Sequence, residues 1–201
     1  MGSSKHLLMM PDGRPLYQRQ VEILREACPE AKIIHISLAQ DSEVDGYLED
    51  IKTAPHNIND DENNIAAIFD TETNQEEESK GPAAGLLAAF EHDPGATWLV
   101  VACDYPFITA AALQQLQSLY KPPVTCFRNI DGFCEPLLGI WSPEAISRLK
   151  SNCQQGMLSP SKVVHEMNGS MYTPPQESDD LLRNVNTKGE WENALKRLMV
   201  K

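Results

Sequence analysis

The stretch Trp98-Leu99-Val100-Val101-Ala102-Cys103-Asp104-Tyr105-Pro106 sets a carboxylate at the end of a short apolar run. A run of this length with β-branched members, bounded by turn residues, predicts a strand covered on both faces. In an open parallel sheet, ligands sit outside the carboxyl ends of the strands, so Asp104 stands where chemistry usually happens. The alternative is that Asp104 only begins a turn, because Tyr105-Pro106 imposes an extended exit. Ile65-Ala66-Ala67-Ile68-Phe69 repeats the pattern as a short buried strand ending at Asp70. A third segment, Gly81-Pro82-Ala83-Ala84-Gly85, reads as a turn opening a helix at Leu86-Leu87-Ala88-Ala89-Phe90. Exposed amides at a helix N-terminus favour anions, and small residues let a ligand approach the backbone. An ordinary loop-to-helix junction with packing alanines would look the same.

The elements that must position these residues alternate along the chain. Pro15 to Cys28 predicts an amphipathic helix with Leu16, Val21, Ile23 and Leu24 apolar. Lys32 to Leu38 predicts a strand in which His35 is packed or partly exposed rather than catalytic. Residues 41–64 read as a polar loop with a short helix near Tyr47–Lys52, and the polar run Thr71–Lys80 as a solvated loop. Thr109 is a plausible cap for a helix reaching Tyr120. Val124–Arg128 and Phe133–Trp141 read as strands joined through Asp131-Gly132, a hairpin signal. Ser142-Pro143 starts a further helix to about Asn152. A short helix near Lys162–Met167 and a strand around Met171 follow. Thr187-x-x-Glu190 is a capping box ahead of a last helix, Trp191 to Met199. The pattern is α/β with a mostly parallel sheet and an antiparallel insertion near 124–141, in a single domain over residues 1–201.

Composition narrows the classes of function. The chain has 201 residues, 23% charged and 41% hydrophobic, ordinary for one well-buried core. A net charge of −12 argues against a nucleic-acid partner or an anionic membrane surface. No apolar run has the ~20 residues of a membrane-spanning helix, and no signal-peptide core is present, so cytoplasm is the expected location. The start Met1-Gly2-Ser3-Ser4-Lys5-His6 resembles a myristoylation site but has His6 where Ser or Thr is required. Cys28, Cys103, Cys126, Cys134 and Cys153 form no C-x-x-C pair, which speaks against a disulfide framework or a zinc site. Cys103 reads as a small core residue rather than a nucleophile.

Taken together these residues resemble the molybdenum cofactor guanylyltransferase family, the MobA-like nucleotidyltransferases. That family's pattern runs from a glycine-rich signature ending in R-M-G-x-x-K through a strand ending in Asp and a G-P-L-A-G turn. It continues with a strand ending in C-D-x-P, a P-L-x-G-L-Y strand and a late N-x-N-T. Here stand Met1-Gly2-Ser3-Ser4-Lys5, Asp70, Gly81-Pro82-Ala83-Ala84-Gly85, Cys103-Asp104-Tyr105-Pro106, Pro136-Leu137-Leu138-Gly139-Ile140-Trp141 and Asn184-Val185-Asn186-Thr187, in the same order. Ala83 replaces the usual Leu. The resemblance implies a Rossmann-like, three-layer nucleotide-diphospho-sugar transferase-like fold. The family's opening strand and its L-A-G-G-x-S-x-R loop would precede Met1. The resemblance therefore implies an N-terminal truncation, either a sequence that starts at an internal methionine or a degenerate copy, with two strands left with unpaired edges.

The activity implied by the resemblance is transfer of GMP from GTP to molybdopterin, with release of pyrophosphate. Asp104 would hold Mg²⁺, a hard ion bound by one or two carboxylates plus phosphate oxygens and water. Lys5 would neutralise phosphate charge; a flexible surface lysine is the other reading. Gly81, Pro82 and Gly85 would shape the base pocket, and Asp70 would accept hydrogen bonds from guanine or ribose. Asn184 and Asn186 would contact pterin or phosphates, or else merely lead into the Thr187 cap. Two alternatives stand beside this: a cytidylyl- or sugar-phosphate nucleotidyltransferase of the same fold, and a non-catalytic nucleotide-binding protein.

Overall fold

A computed structural model describes residues 5–39, 41–53, 65–70, 81–175 and 180–199. After a 3-10 turn, Lys5–Leu7, come α1 (Leu16–Ala27), β1 (Ile34–Leu38), α2 (Gly46–Thr53), β2 (Ile65–Phe69), α3 (Pro82–His92) and β3 (Trp98–Val101). Then follow α4 (Ala110–Ser118), β4 (Val124–Arg128), β5 (Cys134–Trp141), α5 (Pro143–Cys153), α6 (Pro160–Glu166), β6 (Ser170–Tyr172) and α7 (Lys188–Leu198). The expected Thr71–Lys80 loop lies outside the described residues. Helix starts are chemically marked. The Thr109 hydroxyl accepts from the Ala112 amide at 3.3 Å, and Ser142 accepts from the Ala145 amide. Thr187 and Glu190 form the reciprocal capping box before α7. No helix among the described residues is long and apolar enough to cross a membrane.

The strands form two sheets. β1 and β2 pair in parallel, from Ile34 opposite Ile65 to Leu38 opposite Phe69. The second sheet has the order β3-β5-β4-β6, with β5 antiparallel to both neighbours and β4 parallel to β6. The α/β class and the antiparallel insertion are as expected, but a mostly parallel sheet is not: among the described residues the ladders divide evenly between the two senses. The reason lies in the tight turn at Asn129–Phe133. There the Asn129 amide donates to the Phe133 carbonyl and the Asn129 side chain accepts from the Phe133 amide. So short a return allows only an antiparallel neighbour, and β5 then wedges between β3 and β4.

Helices cover both faces of the four-stranded sheet. On one face Val124, Cys126 and Trp141 pack against Leu86 of α3, Ile146 and Leu149 of α5, and Val163 and Val164 of α6. On the other, Phe127, Leu138 and Ile140 meet Ile23 of α1 and Leu113 and Leu116 of α4. Full burial of each such side chain contributes about 1.5–3 kcal/mol, so these two interfaces hold the frame rigid. A third cluster sets Trp191 and Ala194 of α7 on Leu16, Phe107 and Val185. It pins the segment around Val185 beside the start of α1.

Two strands are less covered than their sequences predict. Every residue of β3 is only half-buried, and in β2 only Ile68 is fully buried. For β2, a two-stranded sheet is too narrow to bury its outer strand. For β3 the cause is its free edge: among the described residues no strand lies between β1 and β3, and both face a cavity of about 820 Å³.

Candidate functional site

Asp104 follows β3, and its backbone carbonyl accepts from the Val185 amide at 2.9 Å. That bond fastens the end of β3 to the segment leading into α7. On the same side, Lys5 Nζ donates to Asn186 Oδ1 at 2.6 Å and lies 3.4 Å from Asp104 Oδ2. Glu190 holds Asn186 in place, its Oε2 accepting from the Asn186 amide at 2.7 Å and the Thr187 amide at 2.8 Å. Those backbone donors keep the Glu190 carboxyl below its ordinary range. The Lys5 and Asp104 side chains are 32% and 21% exposed, so a ligand can reach them while water screens them only in part. The second carboxylate oxygen, Asp104 Oδ1, is buried with no hydrogen-bond partner.

A second cluster gathers at the carboxyl ends of β1 and β2. The parallel register places Ser37 beside this end, and its hydroxyl donates to Asp70 Oδ1 at 2.8 Å. Gly85 lies against the same hydroxyl: a Cβ at this position would stand 3.1 Å from Ser37 Oγ. Gly81 adopts a positive φ of 53° just before Pro82 opens α3, a backbone conformation that a side chain disfavours. Asp70, Ser37, Gly81, Pro82 and Gly85 line one cavity together with His6 and Cys103.

The structure thus brings seven of the eight residues expected from sequence into two groups that border the ends of β1, β2 and β3. Those are Lys5, Asp104 and Asn186 in one group, and Asp70, Gly81, Pro82 and Gly85 in the other. Asn184 stands apart. It lines a separate cavity of about 230 Å³ with Arg183, Glu190, Asn193 and Arg197. Sequence reading missed Ser37, although its place near the end of a strand was a usable signal, and it assigned Glu190 only a capping role. Burial pushes the Cys103 thiol up to about 11, helped by the neighbouring Asp104, which suits a packed thiol rather than a nucleophile. α1 braces the turn after Asp104: Gln20 donates to the Tyr105 carbonyl at 2.9 Å and Arg19 to the Pro106 carbonyl at 3.2 Å.

The donor set bears on what Asp104 can hold. Among the described residues no group of three His, Cys, Asp or Glu is placed to ligate a metal. Mg²⁺ needs no such cage, since one or two carboxylates suffice when phosphate oxygens and water supply the rest. A buried carboxylate oxygen with no partner, such as Asp104 Oδ1, fits that ion.

Comparison with known proteins gives concordant results. A family model described as the MobA-like NTP transferase domain matches residues 1–168. A molybdenum cofactor biosynthesis bifunctional protein of Synechocystis sp. is 30% identical over 117 residues, covering 57% of this chain and 33% of that protein. A Flavobacterium johnsoniae protein named "Probable molybdenum cofactor guanylyltransferase" is 26% identical over 113 residues, covering 55% of this chain and 59% of that one. The matched region therefore spans less than two thirds of either relative. Among solved structures, the molybdopterin-guanine dinucleotide biosynthesis protein A of Archaeoglobus fulgidus superposes with a TM-score of 0.68 at 18% identity. It covers 100% of this chain and 93% of the other, a likeness of fold.

Proposed function

The chain belongs to the MobA-like NTP transferase family, and from that premise we propose that it transfers GMP from GTP to the terminal phosphate of molybdopterin, releasing pyrophosphate. The acceptor phosphate oxygen forms a bond to the α-phosphorus as the bond to the pyrophosphate oxygen breaks. Negative charge accumulates on phosphoryl oxygens, so catalysis calls for cations and in-line positioning more than for an acid–base pair. Mg²⁺, when held by Asp104 Oδ1, supplies charge neutralisation at those oxygens. Lys5 adds a second positive charge, and Asn186 aims it by accepting a hydrogen bond from the ammonium. Asp70 accepts hydrogen bonds from guanine or ribose, with Ser37 fixing its carboxylate and Gly81, Pro82 and Gly85 letting the base lie close to the backbone. Asn184, in its separate cavity beside Arg183 and Arg197, contacts the acceptor.

The observation that carries this reading is the Lys5–Asp104–Asn186 cluster. It joins residues 99 and 181 positions apart in sequence at the end of a strand. A lysine tied to a neutral amide oxygen on one side and a carboxylate on the other is poised for a phosphate rather than spent in a tight ion pair. The guanylyl assignment is tested by Mg²⁺-dependent pyrophosphate release and dinucleotide formation with GTP and molybdopterin, alongside thermal shifts with GTP, CTP and ATP. GTP should give the largest stabilisation. A larger shift with CTP would move the chain to cytidylyl transfer, and no shift with any nucleotide would leave a non-catalytic protein.

A further inference from the structure

β5 does not run evenly alongside β4. Cys126 stands opposite Gly139, but the next pair is Phe127 with Glu135, so Pro136, Leu137 and Leu138 bulge out of this ladder. An odd shift of register turns a strand over. Strict alternation back from Ile140 and Leu138 would put Cys134 on their face and Glu135 on the opposite one. Instead Cys134 packs with Cys126 and Trp141, and Glu135 lies across from Phe127, on the face where Tyr105 is buried. The bulge is fastened on both sides. The Trp141 indole donates to the Pro136 carbonyl at 2.8 Å, and the Ala102 amide donates to the Leu137 carbonyl at 2.9 Å.

Both oxygens of the Glu135 carboxylate are engaged. Tyr105 donates its hydroxyl to Oε2 at 2.7 Å, and Asn129 donates from Nδ2 to Oε1 at 2.9 Å. The Asn129 side chain cannot turn round, because its Oδ1 already accepts from the Phe133 amide at 3.0 Å. Burial pushes the Tyr105 phenol well above its ordinary range, with Glu135 adding to the effect, so the hydroxyl keeps its proton. Two fixed donors call for two accepting oxygens, which an ionised carboxylate supplies and an amide does not. β5 therefore grips the segment that carries Asp104 at two points, Ala102 before it and Tyr105 after it.

We propose that Glu135 is a positioning residue of the site: through the Tyr105 hydroxyl it holds the backbone beside Asp104 and so fixes where that carboxylate stands. The inference rests on the reading of Asp104 as the carboxylate that holds Mg²⁺, and Glu135 acts on the ion only through Asp104. The need for such a hold is plain at Asp104 itself. Its Oδ1 has no partner and its Oδ2 lies 3.4 Å from Lys5, so no short bond to the side chain sets its aim. The backbone must do so. Groups that orient a metal ligand without touching the metal govern affinity or rate by about ten- to a hundredfold.

Two variants of the full chain test this. Glu135→Gln keeps the size of the side chain but has one acceptor oxygen for two donors, and Tyr105→Phe removes the hydroxyl alone. In Mg²⁺-dependent pyrophosphate release from GTP, each should lower kcat by about tenfold and raise the Mg²⁺ concentration for half-maximal rate, with KM for GTP within about twofold of the parent. Because both act through one bond, the double variant should be no slower than the slower single one. A second readout needs no turnover. The Val185 amide, which donates to the Asp104 carbonyl, should exchange with solvent about tenfold faster in both variants. The amides of Leu116 in α4 and Leu149 in α5 should keep the parent rate. Additive losses in the double variant, an unchanged Mg²⁺ requirement or an unchanged Val185 exchange would overturn the proposal. So would faster exchange at Leu116 and Leu149 as well, which would make Glu135 a general support of the fold. A parent that releases no pyrophosphate from any nucleotide would instead overturn the guanylyl reading, and exchange at Val185 would then decide on Glu135 alone. If Glu135→Gln does not fold, Tyr105→Phe carries both measurements.

Discussion

Two strands of this chain are followed by an aspartate, Asp70 just after β2 and Asp104 shortly after β3, and the two carboxylates are held differently. Asp104, on the four-stranded sheet, lies 3.4 Å from an ammonium, with its other oxygen buried and unpartnered. Asp70, on the two-stranded sheet, accepts from a neutral hydroxyl at 2.8 Å, and its amide donates to the Leu38 carbonyl. The same local pattern therefore gives two different electrostatic settings, decided by what the neighbouring segment presents. Charge coupled to charge suits phosphate and metal. A carboxylate steadied by a hydroxyl suits recognition of N–H or O–H donors on a base or sugar. The first should govern rate and the second nucleotide choice.

Asp104→Asn makes the sharpest break. It is nearly isosteric, so the fold should persist, while Mg²⁺-dependent pyrophosphate release should fall by about a hundredfold or more. An unchanged rate would remove Asp104 from the metal site. Lys5→Ala should follow, with a loss of roughly tenfold to a hundredfold that appears in kcat more than in KM, because its charge acts on the developing phosphoryl charge. If only KM rises, Lys5 binds ground-state phosphate and nothing more. Asp70→Asn should leave the rate at saturating GTP nearly intact while narrowing the gap between GTP and CTP in thermal shift, by about 1–3 kcal/mol of binding. A retained preference for GTP in that variant would move base reading elsewhere. Gly85→Ala is gentler: its new methyl group must displace the Ser37 hydroxyl, costing about 1 kcal/mol of nucleotide binding. Equal GTP titrations of variant and parent would show that Ser37 gives way freely.

The smallest effect concerns pH. The Asn186 and Thr187 amides lower the Glu190 pKa in the fold, below an ordinary value of 4.5. Its contribution to stability is therefore present above that value and lost as pH falls through the lowered folded one. Glu190→Gln should melt at a lower temperature than the parent near neutral pH, and the two should converge under acid. Melting curves at about pH 6 and about pH 3 read this directly. A constant difference across that range would assign the loss to packing.

What was legible in the sequence was local. Thr187-x-x-Glu190 and Ser142-Pro143 mark helix starts through bonds spanning a few residues, and Asp131-Gly132 marks a hairpin for the same reason. The place of Asp104 was legible because the apolar run that begins in β3 stops there, although the strand itself ends at Val101. The pairing of Ser37 with Asp70 was not, since it depends on a parallel register between segments 33 residues apart. Sheet order was hidden too, because nothing local says that β5 will wedge between β3 and β4. Asn184 and Asn186 were expected to act together, but the segment that holds them is not a strand, so residues two apart do not share a side.

The clamp on Lys5 has a consequence for how the protein comes to be. Asn186 and Glu190 are among the last described residues, and they hold a lysine near the start of the chain. During synthesis everything through β6, Asp104 included, can leave the ribosome while Lys5 still lacks Asn186, its second partner. Contacts of such sequence separation form late, after the sheet and its covering helices have closed most of the loop between them. The Lys5 clamp is thus completed only when the Asn186 segment and α7 are in place, and a nascent chain that stops short of them can be largely folded and yet leave Lys5 without its amide partner.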